Sequence, residues 1–133
     1  MKILSIFGTR PEAIKLAPII KKMENNKKIT LFSCVTAQHR QLLDQVLETF
    51  HIKPDYDLDL MTINQDLNYL AQAILKEVSK VLMKLKPDFI LVQGDTTTAL
   101  FSSIAAFHHN IKVAHLEAGL RTNDKFSPWP EEV

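Results

Sequence analysis

The stretch Phe89-Ile90-Leu91-Val92-Gln93-Gly94-Asp95-Thr96-Thr97-Thr98 decides the fold class. It opens on a short, continuous apolar run closed by a glycine, the pattern of a strand buried on both faces. From Thr96 to His109 the chain reads as a helix with apolar residues on most sides, which predicts burial. The same order occurs at the start of the chain. Ile3, Leu4, Ile6 and Phe7 run into Gly8, and Pro11 stands where a helix can begin, because a first-turn N–H has no intrahelical partner to lose. Ile14, Leu16, Ala17, Ile19, Ile20 and Met23 give that helix its apolar face. Pro18 lies inside it and predicts a kink or a break.

Working outward, Thr30 to Thr36 reads as a second strand, and His39 to Phe50 as a helix with Leu42, Leu43, Val46, Leu47 and Phe50 at helical spacing. Pro54 to Leu60 reads as a short edge strand or a loop. A long amphipathic helix runs from Asp66 to Leu85, a further strand from Ile111 to Leu116, and a loop from Arg121 to Val133. Strand and helix alternate throughout. That order implies a Rossmann-like parallel sheet with helices on both faces, joined by right-handed crossovers. Its strands are apolar runs, as a sheet covered on both sides requires.

Composition narrows the function. With 133 residues, 46% hydrophobic and 23% charged, the chain fits one globular domain and is far from the composition of disorder. No run approaches the ~18 uninterrupted apolar residues of a spanning helix. The net charge of +1 gives no footprint for nucleic acid or an acidic membrane face. Lys21, Lys22, Lys27 and Lys28 cluster around Asn25 and Asn26 and read as a solvated helix end and turn. Cys34 stands alone in an apolar run, which excludes a disulfide framework and a Cys-x-x-Cys zinc site and suits a small core residue. Gly8, Arg10 and Glu12 follow the N-terminus too soon for a secretory leader, so the expected compartment is the cytoplasm. Repeats and low-complexity segments are absent from the sequence.

The glycines locate a site. There are three, Gly8, Gly94 and Gly119, each within a few residues of the C-terminal end of an expected strand. Ligands of open α/β sheets bind outside those ends. At Gly8-Thr9-Arg10-Pro11-Glu12, free N–H groups of a helix start and a guanidinium suit a phosphate. Neither a dinucleotide fingerprint nor a P-loop is present. At Gln93-Gly94-Asp95-Thr96-Thr97-Thr98, Asp95 suits either a helix cap reaching Thr98 or a catalytic carboxylate. His115 and Glu117 project to one face of a strand, a pairing that suits proton transfer. His115 alone also reads as a core histidine bonded to backbone. Glu117 is costly to bury without a partner or ligand. Ser127-Pro128-Trp129-Pro130-Glu131-Glu132 reads as a stiff loop carrying two acids. His108 and His109 are neighbours on a helix and do not face one metal. Asp95, Glu117 and Glu131 thus give acids for one sheet edge, with Arg10 as an anion clamp.

Phe7 to Lys15, Val35 to Arg40, Gly94 to Thr98, Glu117 to Arg121 and Pro128 to Glu132 closely resemble, in order and spacing, motifs of the non-hydrolysing UDP-N-acetylglucosamine 2-epimerases. The resemblance implies the N-terminal domain of a glycosyltransferase-B architecture. It implies interconversion of UDP-N-acetylglucosamine and UDP-N-acetylmannosamine by elimination of UDP to 2-acetamidoglucal and re-addition, without metal or other cofactor, in the service of surface polysaccharide synthesis. Asp95, Glu117 and Glu131 would be the acid/base carboxylates, and Arg10 and Lys15 would bind phosphates or sugar. Gln38, His39 and Gln41 match an allosteric UDP-N-acetylglucosamine site of some members, although Asn64 stands where that site has an arginine.

The resemblance further implies a homodimer for the full-length family, and no nucleic-acid or membrane partner. It makes residues 1–133 an incomplete N-terminal Rossmann-like domain without the C-terminal UDP-binding domain, expected to be inactive alone. A non-catalytic remnant or interaction module of the family, and a glycosyltransferase of the same architecture, are the competing readings.

Overall fold

The computed structural model describes residues 1–37, 40–60, 62 and 66–132. The elements follow in the order β1 (Lys2–Phe7), α1 (Arg10–Glu24), β2 (Thr30–Val35), α2 (Arg40–Thr49), β3 (Tyr56–Asp57), α3 (Leu67–Leu85), β4 (Phe89–Gln93), α4 (Thr97–His108) and β5 (Lys112–Leu116). The strands form one sheet in the order β3-β2-β1-β4-β5, and every pairing is parallel. The Rossmann-like expectation is met. Pro54 to Leu60 resolves into a loop with a minimal edge strand, β3.

β1 is the central strand, and its side-chain alternation divides the core in two. Ile3 and Phe7 face the layer of α1 and α2, with Leu16, Ile20, Leu43 and Leu47. Leu4 and Ile6 face the layer of α3 and α4, with Leu70, Ile74, Leu82 and Ala105. Ile3, Leu4, Ile6 and Phe7 have no solvent exposure. Burial of each such side chain contributes about 1.5–3 kcal/mol, so the first strand anchors both layers. α3 buries one stripe, Leu70, Ile74, Val78, Val81, Leu82 and Leu85, and begins at Asp66, whose carboxylate accepts from Tyr69 N at 2.7 Å.

Two expectations are corrected. Pro18 does not break α1, which continues to Glu24. Pro18 and Ile14 both lie on the exposed side, so the Ile14 carbonyl that loses its intrahelical donor faces solvent. α4 is not buried on most sides. It turns its small residues Ala99, Ser102, Ala105 and Ala106 inward, while Leu100 and Phe107 are exposed, Phe107 at 77%. β5 is likewise an exposed edge strand, with Val113 and Leu116 open to solvent. No helix among the described residues is long and apolar enough to cross a membrane.

Candidate active site at the switch point of the sheet

The chain winds from β1 outward through β2 to β3, then returns to place β4 on the other side of β1. The direction of winding therefore reverses between β1 and β4. Loops leaving the C-terminal ends of two such strands diverge and leave a crevice, the usual ligand position in open α/β sheets. Here those loops are Gly8–Thr9 after β1 and Gly94–Thr96 after β4.

A buried carboxylate joins the two loops. Glu12, in the first turn of α1, is 1% exposed. Its Oε2 accepts from Gly8 N at 2.9 Å and from Thr9 N at 2.6 Å. Its Oε1 accepts from the Thr96 hydroxyl at 2.6 Å. Thr96 Oγ1 in turn accepts from Ala99 N at 3.1 Å and caps α4. Burial pushes the Glu12 carboxyl above its ordinary pKa, against the lowering effect of the Thr96, Gly8 and Thr9 donors.

Neighbouring contacts close the rim. Thr36, just past β2, shares a 2.9 Å hydrogen bond with Thr98 between buried hydroxyls. Gly94 N donates to the Leu116 carbonyl at 3.2 Å, and His115 Nε2 lies 2.7 Å from the Gly94 carbonyl oxygen. The buried Gln93 side chain donates from Nε2 to Glu117 Oε2 at 3.2 Å, while Glu117 Oε1 accepts from Ala118 N at 2.8 Å. Glu117 Oε2 lies 3.7 Å from where a Cβ would stand on Gly94, whose φ is +82°. The carboxylate of Glu117 therefore rests against the residue that precedes Asp95.

Arg10 and Asp95 are exposed on this rim, and neither is held by a hydrogen bond or ion pair among the described residues. Asp95 does not cap α4, because Thr96 does. The exposed Arg10 is the first residue of α1, next to the Thr9 N–H that Glu12 holds. His115 is bonded to backbone as expected, but on an exposed strand and not in the core.

Other sequence candidates lie apart. Lys15 is exposed, farther along α1. Glu131 is exposed on the segment after β5, with no hydrogen bond or ion pair among the described residues; its neighbour Glu132 accepts from Thr122 N and Asn123 N at 3.1 and 2.9 Å. Gln41 is exposed in the first turn of α2, whereas Gln38, His39 and Asn64 fall outside the described residues. Arg40 is fully engaged: it forms a bidentate pair with Asp57 at 2.7 Å and bonds to Asp59 at 2.8 Å, tying α2 to the β3 edge. A shallow hollow between Asp44 and Pro54 lies toward the opposite rim and contains none of the candidate residues. Among the described residues there is no cluster of His, Cys, Asp and Glu able to hold a metal ion.

Sequence reasoning missed Glu12, Gln93 and Thr36. Glu12 carried a signal, since Thr9-x-x-Glu12 is the spacing of a capping box. A glutamine closing the apolar run Phe89 to Val92 was a weaker one.

The family model described as UDP-N-acetylglucosamine 2-epimerase matches residues 21–133. The chain belongs to that family. A UDP-N-acetylglucosamine 2-epimerase of Campylobacter jejuni is 56% identical over 132 residues, which is 99% of this chain and 34% of that protein. The crystal structure of the Neisseria meningitidis enzyme bound to UDP-GlcNAc superimposes with a TM-score of 0.95 at 54% identity, covering 99% of this chain and 36% of that one. The Methanocaldococcus jannaschii enzyme in complex with UDP-GlcNAc and UDP gives 0.91 at 39% identity, with coverage of 99% and 36%. The chain thus spans about a third of the length of the epimerase relatives it matches.

Proposed function

We propose that residues 1–133 form one wall of the active site of a UDP-N-acetylglucosamine 2-epimerase and carry its acid/base carboxylates. The observation that supports this most is the Glu12 carboxylate that ties the loop before Arg10 to the residue after Asp95, with Glu117 against Gly94, in a chain superimposable on an epimerase bound to UDP-GlcNAc.

The reaction demands what this rim offers. The hydrogen on sugar C2 is weakly acidic, so a base must stand within hydrogen-bond reach of it. As one carboxylate takes that proton, a C1–C2 double bond forms and the C1–oxygen bond breaks. Its electron pair leaves on the β-phosphate of UDP. Developing charge on the phosphate is stabilised by donors already in place, here the Arg10 guanidinium at the start of α1. Re-addition reverses the electron flow: the phosphate oxygen attacks C1 and C2 takes a proton from the opposite face. Two protonation sites on opposite sides of the sugar are needed. Asp95 and Glu117 are the pair on this rim, and Glu131 is assigned as a further acid/base carboxylate on motif resemblance alone. Lys15 is assigned to the phosphates or sugar, and Gln38, His39 and Gln41 to a second nucleotide-sugar site, on motif resemblance alone.

The relatives are about three times longer, and their remaining two thirds have no counterpart in these residues. The 133-residue chain by itself is therefore expected not to turn over. Joined to the remaining two thirds of the Neisseria enzyme, it should form UDP-N-acetylmannosamine in deuterated water with deuterium at C2, read by NMR. A chimera that folds and binds UDP yet forms no product overturns the proposal, and so does turnover by the 133-residue chain alone.

A further inference from the structure

Glu12 faces three donors from two loops that meet nowhere in sequence. Gly8 and Thr9 belong to the turn that precedes Arg10, and Thr96 follows Asp95 directly. The Glu12 to Thr96 contact spans 84 residues. A capping box needs only the contact to its own helix start. The second carboxylate oxygen is instead spent across the crevice, on a hydroxyl whose own lone pair fixes the first turn of α4.

We propose that Glu12 and Thr96 form a strut that sets the separation and orientation of Arg10 and Asp95, making both positioning residues of the epimerase site. This rests on the epimerase reading of the rim. The exposed Arg10 and Asp95 side chains have no fixing contacts of their own among the described residues, so their placement relative to each other is inherited from backbone. Two backbone N–H groups of the first loop and the Thr96 hydroxyl of the second converge on a single carboxylate. Loss of the Thr96 hydroxyl leaves Glu12 Oε1 buried without its donor and removes the side-chain tie that the two loops have beyond the pairing of β1 with β4. Misplacement of reacting groups by about 1 Å can cost on the order of 100-fold in rate, whereas substrate affinity gathered over the whole nucleotide sugar is much less sensitive.

Thr96→Val keeps the shape and removes the hydroxyl, while Thr96→Ser keeps the hydroxyl. Asp66→Ala removes the cap of α3, a helix that carries none of the candidate residues, and serves as a control for loss of a helix cap. In the active chimera, Thr96→Val should lower kcat by about tenfold or more with KM changed much less, and Thr96→Ser should restore it. Asp66→Ala should lower the melting temperature comparably and leave kcat intact. A Thr96→Val enzyme with kcat close to that of the parent, or one slowed no more than Asp66→Ala, overturns the strut.

Amide exchange in the 133-residue chain tests the strut without reference to catalysis. In Thr96→Val the Gly8 and Thr9 amides should lose protection together with Thr97 to Ala99. Change confined to the first turn of α4 overturns the proposal. If the parent chimera has no activity while Gly8 and Thr9 respond in this way, the epimerase reading fails and the mechanical link stands.

Discussion

Replacement of Gly94 by alanine tests whether the Asp95 loop is held in the geometry described. Gly94 has φ +82° and ends β4 beside Glu117. An L side chain in that region of backbone space costs about 1–2 kcal/mol. Steric conflict adds nothing, because the new Cβ would stand 3.7 Å from Glu117 Oε2, an ordinary contact distance. The opposing effect is the smaller freedom of the unfolded chain, which stabilises Gly-to-Ala variants by about 0.4–1 kcal/mol only where the native φ suits alanine. At Gly94 it does not, so the strain decides the sign. At about 3–4 °C per kcal/mol for a chain of this size, Gly94→Ala should melt several degrees below the parent. Gly119 has φ +72° with nothing within 4 Å of a Cβ. It lies in an exposed loop that can relax, so Gly119→Ala should lose less. Thermal and urea unfolding followed by circular dichroism read both. A Gly94→Ala chain as stable as the parent, or more stable, would refute the reasoning, since it would mean the loop is free to leave positive φ.

Asp95→Asn should change stability of the 133-residue chain by less than about 0.5 kcal/mol in urea, because Thr96 and not Asp95 caps α4. The same change in the chimera should abolish most turnover. Cys34 is fully buried, and burial pushes its thiol up to about 12. It should resist thiol reagents in the native state and react only on unfolding. Two hydrogen bonds from Arg40 hold the Asp57 carboxyl below its ordinary value. Its contribution is full above the unfolded carboxylate pKa and is lost as pH falls through the lowered folded value. Asp57 is 46% exposed, so Asp57→Asn should cost no more than about 1 kcal/mol at neutral pH. The difference from the parent, read from urea midpoints, should vanish in acid. Glu12 works with the opposite sign: its raised pKa means that stability falls as pH climbs from the unfolded toward the folded value.

The strands and helices were legible because burial on both faces leaves apolar runs such as Ile3 to Phe7, and because α3 repeats its stripe at helical spacing. Their order alone implied the parallel sheet and hence the rim. Pro18 misled because the cost of a proline depends on where its orphaned carbonyl points, which is a matter of helix orientation. The surroundings of α4 misled for a related reason. Apolar content does not say which side finds a partner, and the small residues took the inner face. The capping-box spacing marks the contact of Glu12 with its own helix start, but the Glu12–Thr96 and Gln93–Glu117 contacts span long separations, and no local pattern marks which polar side chain will meet which there. Glu131 is exposed on the segment after β5 with no hydrogen bond or ion pair among the described residues, so its motif groups it with the acids at the rim while no contact does.

The most direct measurement is a titration of the isotopically labelled 133-residue chain with UDP-N-acetylglucosamine at millimolar concentration, followed by amide chemical shifts. The account predicts weak, saturable changes centred on Gly8 to Glu12, Gly94 to Thr97 and Glu117 to Gly119. Changes centred on the hollow between Asp44 and Pro54, or an unaltered spectrum, would contradict it.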